Sequence, residues 1–172
     1  MLQQGQYTQV ELDGMFNVET PPEMQLPQAQ MRMIDRIIHV SSMGGRYNKG
    51  ELIAEYDINP DLWFFKCHFP GDPVMPGCLG VDALWQALGF HLAWSGYQGK
   101  GRALGVGDVR FFGEVLPTSK KVTFHVHIKR VILKDIALGI ADGDVYVDGV
   151  HIYSAKNIKT GLIPKTGQYS VN

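Results

Sequence analysis

Apolar and polar positions alternate most cleanly over residues 51–58. Leu52, Ala54, Tyr56 and Ile58 fall on one face, and Glu51, Glu55 and Asp57 share the other with Ile53. A period of two predicts a half-buried antiparallel strand, ended by Asn59-Pro60-Asp61. Residues 35–42 carry Ile37, Ile38 and Val40 and read as a strand before it, with Gly44-Gly45 marking the turn. From Pro76 to about Ser95 the period becomes helical. Leu84, Ala87, Leu88 and His91 share one face, with Ala83 and Phe90 beside them. Pro76 suits a first helical turn, where its missing N–H costs nothing. The flanks are too apolar for a surface helix, so this one is expected to be wrapped on most sides. Four further strand runs follow, at 103–112, 121–132, 136–147 and 150–163. Pro117-Thr118, Lys134-Asp135 and Asp148-Gly149 separate them, and Asp-Gly between two strands is a strong hairpin signal.

Strands, one long helix and then strands again predict an α+β fold, a largely antiparallel sheet around a helix, and not an alternating βαβ chain. Residues 1–30 are polar and punctuated by Pro21, Pro22 and Pro27. They read as an N-terminal arm with at most one short helix, N-capped by Thr8 with Glu11 three residues on. Residues 31–172 read as a single domain.

Composition narrows the function classes. The 172 residues are 45% hydrophobic, enough for a core that needs no metal or disulfide. Sixteen Lys+Arg against 17 Asp+Glu argue against a general nucleic-acid binder, which needs a basic surplus. The balance hides an asymmetry: residues 1–118 carry a net charge of −5 and residues 119–172 a net of +4. A basic C-terminal surface facing an acidic partner is one reading, and ordinary mixed surface charge the other. Cys67 and Cys78 form no CxxC pair, and reduced thiols in a cytoplasmic protein are expected. The N-terminus shows no secretory pattern. Residues 83–99 lack formal charge, but Gln86, His91, Ser95 and Gln98 interrupt them, which favours a buried helix over a membrane span.

The chain has no GxxxxGK[ST] and no GxSxG, and Gly105-Val106-Gly107 lacks the third glycine of a dinucleotide site. His125 and His127 share one strand face. A zinc site wants three or four ligands and no further pair is evident, so the expectation is no metal and a solvated face. Cys67 and His68, adjacent on an extended segment, point to opposite faces. Cys67 is therefore expected to be a buried structural cysteine. The informative stretch runs from His68 to Gln86. One imidazole precedes a Pro/Gly-rich turn, and one carboxylate, Asp82, sits on the second turn of an apolar helix. Such a pair suits proton abstraction beside a carbonyl with loss or gain of water. A carboxyl in an apolar site keeps its proton longer and can act as an acid. The helix N-terminus at Gly77-Cys78 offers N–H groups to a thioester oxygen. The residues alone also fit a satisfied turn histidine and a capped aspartate.

Residues 57–65, Cys67-His68-Phe69 and the run Gly71-Asp72-Pro73-Val74-Met75-Pro76-Gly77-Cys78-Leu79-Gly80 resemble the bacterial 3-hydroxydecanoyl-acyl carrier protein dehydratase/isomerase family. Gly99-Lys100-Gly101-Arg102-Ala103-Leu104-Gly105, Phe112-Gly113, Val115-Leu116-Pro117-Thr118 and Ile140-Ala141-Asp142-Gly143 continue the likeness, which runs from about Met31 to Leu162. The resemblance implies a hotdog fold and a cytoplasmic homodimer whose active sites are shared between subunits. His68 would be the base from one chain and Asp82 the acid from the other. Val74, Gly77, Cys78 and Gln86 would bind substrate, with the Gly77 N–H on the thioester oxygen and Gln86 orienting Asp82. The substrate would ride on the phosphopantetheine of acyl carrier protein, with no cofactor, metal, nucleic acid or membrane involved. Lys129, Arg130, Lys134, Lys156 and Lys159 would dock the acidic carrier. A broad-specificity dehydratase of the same fold has Glu at the position of Asp82. Asp82 and Trp63-Phe64-Phe65 favour the bifunctional enzyme, whereas Pro70 is shared with the broad-specificity relative. A hotdog thioesterase and a non-catalytic acyl-binding module are the alternatives of other classes.

Overall fold

The computed structural model describes residues 5–14 and 25–164. Its elements are helix α1 (Gln9–Gly14), strands β1 (Arg36–Ser41) and β2 (Glu51–Asp57), helix α2 (Gly77–Trp94), and strands β3 (Lys100–Gly105), β4 (Asp108–Phe111), β5 (Lys121–Leu133), β6 (Ala137–Val147) and β7 (Val150–Ile163). Short 3-10 turns cover Ala29–Met31 and Trp63–Lys66. All seven strands form one antiparallel sheet in the order β1-β2-β5-β6-β7-β3, with β4 also paired to β7.

Helix α2 lies against the sheet and buries most of its length. Ala83, Leu84, Ala87, Leu88 and Leu92 are fully covered. Two glycines on β6 let the helix approach: a Cβ on Gly143 would lie 2.8 Å from Leu84, and one on Gly139 3.1 Å from Leu88. This is the wrapped helix that the apolar flanks predict. The expected strand at 103–112 is instead two strands. Gly105, at φ 151°, and Gly107 interrupt it, and the Gly107 N–H bonds the Lys156 carbonyl at 2.8 Å. The chain thereby changes course, so that β3 and β4 pair with successive parts of β7. Between β6 and β7, Asp148 and Gly149 both have positive φ, as a two-residue hairpin turn requires.

Thr8 and Glu11 form a reciprocal cap on α1. The Thr8 N–H donates to Glu11 Oε2 at 2.7 Å, and the Glu11 N–H donates to Thr8 Oγ1 at 3.3 Å. Tyr7 and Leu12 from this segment are buried in the core, and Tyr7 bridges to Ile37. Among the described residues, no helix is long and apolar enough to cross a membrane.

Candidate functional site

His68 sits in a loop pinned at many points. Its N–H donates to the Phe64 carbonyl at 2.9 Å, and its carbonyl accepts from the Val74 N–H at 2.8 Å. Phe69 and Asp72 exchange two backbone hydrogen bonds, and the Met75 N–H reaches the Val115 carbonyl at 3.0 Å. The imidazole Nδ1 lies 2.9 Å from the Val74 carbonyl oxygen. A carbonyl can only accept, so in the neutral imidazole Nδ1 carries the proton and Nε2 the lone pair. Val74 thus holds the histidine in the tautomer that a general base needs. The Phe69 ring stacks on the imidazole at 4.0 Å.

Helix α2 begins just after this loop. Pro76 is its N-cap and contributes no side-chain hydrogen bond, so the first N–H groups, including that of Gly77, are not capped by it. A Cβ on Gly77 would meet the Phe111 ring at 2.7 Å, so any larger residue there would have to displace that aromatic. Cys78 is exposed beside it. Cys67 is also exposed, which corrects the expected buried structural cysteine. The 3-10 turn at Trp63–Lys66 spends its aromatics Phe64 and Phe65 on the core and leaves the thiol at the surface, 3.6 Å from the Trp63 and Phe64 carbonyls.

Asp82, one turn further along α2, is held by Gln86. Gln86 Nε2 donates to Asp82 Oδ2 at 2.6 Å and to the Met31 carbonyl at 2.7 Å, while its Oε1 accepts the Met33 N–H at 3.1 Å. The spacing on the helix supplies the first contact. The tie to Met31 and Met33 was not legible in sequence, because it depends on residues more than fifty positions away. Asp82 and Gln86 line a cavity of about 570 Å³, together with Leu26, Trp85, Phe90 and Ala103. Its walls are largely apolar, and Lys100, Arg102 and Thr160 join Asp82 and Gln86 in its polar lining. His68 does not line it. Within one chain Val74 contacts His68, and Gln86 contacts Asp82, which follows Cys78 by one turn of α2.

The basic candidates fall into two groups. Lys129 and Arg130 line a groove of about 440 Å³ with Tyr47 and Lys49. Lys49 was missed because it lies in the acidic part of the sequence. Lys129 and Lys156 both face the Asp142 carboxylate, at 3.4 and 3.3 Å, which neutralises part of their charge. Arg130, Lys134 and Lys159 are exposed and form no ion pair among the described residues. The face carrying His125 and His127 is not the solvated one expected: His127 is buried and His125 half-buried. The turn between β1 and β2 folds over it, with Arg46 on Asp144 at 2.6 Å and Tyr47 on Asp142 at 2.5 Å.

A sequence model of the FabA-like domain matches residues 26–156. Among solved structures, the fold is similar to that of the dehydratase heterocomplex ApeI:P from Xenorhabdus doucetiae. The TM-score is 0.63 at 19% identity, covering 85% of this chain and 93% of that one. It is also similar to a hypothetical thioesterase with coenzyme A from Streptococcus pneumoniae, with a TM-score of 0.51 at 14% identity, covering 77% of this chain and 88% of that one. At these identities the structures speak for the fold, a hotdog in which one long helix lies in a curved antiparallel sheet. With three-quarters of its length matched by the domain model, the chain belongs to the FabA-like family of hotdog dehydratases.

Proposed function

We propose that the protein dehydrates medium-chain (R)-3-hydroxyacyl thioesters, carried on the phosphopantetheine of acyl carrier protein, to trans-2-enoyl thioesters and isomerises these to the cis-3 form. The observation that carries this reading is the His68 tautomer imposed by the Val74 carbonyl, beside the N-terminus of α2. His68 Nε2 removes the C2 proton. The Gly77 N–H and the positive end of the helix receive the negative charge developing on the thioester oxygen. Asp82, oriented by Gln86, donates a proton to the departing C3 hydroxyl, which leaves as water. Moving a proton from C4 to C2 would give the cis-3 product with the same groups. The acyl tail occupies the apolar cavity beside Asp82. No cofactor or metal is needed for these steps.

Two subunits share each site in this reading, His68 from one and Asp82 from its partner. In support, Asp82 lines a cavity that His68 does not reach, strand β3 is exposed at the sheet edge, and Phe69, Phe111 and Phe112 are each more than half exposed. The acidic carrier docks on Lys49, Arg130, Lys134 and Lys159, with Lys129 and Lys156 partly screened by Asp142. Raised salt should then slow turnover of the carrier-bound substrate and spare a short thioester mimic; equal slowing of both would argue against docking there.

The deciding experiment incubates the purified protein with 3-hydroxydecanoyl thioester, resolves the products against authentic isomers and assays free thiol in parallel. Trans-2 and cis-3 enoyl products are expected. Trans-2 product alone would leave a plain dehydratase. Thiol release without any enoyl product would mark a thioesterase.

A further inference from the structure

The outer face of the sheet, opposite α2, carries a cluster of metal-ligand types that the proposed reaction does not use. His125 and His127 project from β5, two residues apart, and Glu51 from the adjoining β2, paired with His127 in the strand register. One ligand atom from each of the three can be chosen so that all lie within 4.8 Å of one another. We propose that Glu51, His125 and His127 bind a divalent transition-metal ion of the zinc class.

Two features of the geometry support it. First, the donor set, two imidazoles and one carboxylate, is one that zinc accepts. The ligand atoms of a tetrahedral zinc site stand about 3.3 Å apart at bond lengths of ~2.0–2.1 Å. His125 Nε2 and Glu51 Oε2 are 2.7 Å apart, so they need to open by only a few tenths of an ångström to admit an ion. Second, His127 is already arranged as a ligand. Its Nδ1 accepts the Arg46 N–H at 3.2 Å, so that nitrogen holds the lone pair, and its Nε2 faces Asp144 Oδ2 at 3.3 Å. A carboxylate behind the non-ligating ring nitrogen is the usual support for a metal-bound histidine. Binding would exchange the long Arg46 contact for a metal bond. His39 Nε2 lies 3.5 Å from Glu51 Oε1, on the far side of that carboxylate.

The test titrates the tag-free, metal-stripped full-length chain with Zn²⁺ by calorimetry, alongside His125→Ala, Glu51→Gln and, as a control outside the cluster, His68→Ala. One Zn²⁺ per chain is expected, with affinity lowered at least about tenfold in the first two variants and unchanged in the third. Co²⁺ added to the unmodified chain should give the intense visible absorption of a tetrahedral site, and Zn²⁺ should raise its unfolding midpoint. These two readings need no variant to fold. Failure of the unmodified chain to bind Zn²⁺, or binding that neither His125→Ala nor Glu51→Gln weakens, would overturn the proposal.

Discussion

At the scale of single residues, function and stability can be separated by substitution. His68→Ala and Asp82→Asn should each lower dehydration by about 10²–10⁴-fold, the range for general acid–base groups, while the unfolding midpoint stays near that of the parent. Retention of more than about a tenth of the turnover by either variant would remove that residue from the proposed chemistry. Asp144 should behave in the opposite way. Arg46, His127 and His151 gather around its buried carboxylate and outweigh the cost of burial, drawing its pKa down from 3.8 to about 2. A lowered carboxylate pKa means that the folded state favours the ionised form. The resulting stability is whole above pH 3.8 and disappears as the pH falls towards 2, and it amounts to roughly 2 kcal/mol. Asp144→Asn should therefore cost about that much at pH 7 and much less near pH 2. Chemical denaturation at the two pH values checks this, and an equal cost at both would contradict it.

At the scale of elements, glycines decide how closely helix and strand pack. A Cβ on Gly80 would stand 2.6 Å from the Tyr153 hydroxyl, whereas one on Gly89 would find its nearest neighbour, the Thr160 methyl, at 3.6 Å. Gly80→Ala should destabilise by about 1–3 kcal/mol through overpacking. Gly89→Ala should be neutral or gain up to about 1 kcal/mol from helix propensity. Thermal unfolding of the pair would test the contrast, and equal midpoints would refute it. Much at this scale was legible beforehand. The alternation at 51–58, the helix after Pro76, the Asp148-Gly149 turn and the Thr8–Glu11 cap are all set by neighbours in sequence. What escaped the reading depends on distant partners. The break between β3 and β4 is set by the pairing of each with β7, and the cover over His127 comes from a turn some eighty residues away. Likewise Gln86 and Asp82 were legible as an (i, i+4) pair on one helix, but the anchoring of Gln86 by Met31 and Met33 was not.

At the scale of the whole molecule, a site shared between subunits makes a prediction that no single-chain site makes. Mixing inactive His68→Ala with inactive Asp82→Asn and allowing subunit exchange should restore activity, because each heterodimer contains one site with both residues intact. Activity that never returns after exchange would place both groups within one chain. The Asp142-Gly143-Asp144 run bears on a different problem, how the chain avoids almost-right arrangements. Gly143 points at Leu84 beneath the helix, and the two aspartates point away into the cations of the outer face. Sliding β6 by one residue would drive both carboxylates under α2 and turn the glycine outward. Such a slipped sheet would have to dehydrate two charges with no cation to meet them, so the middle strand has a single tolerable alignment, and any chain that joins it in another should fall apart before the helix can close over the error.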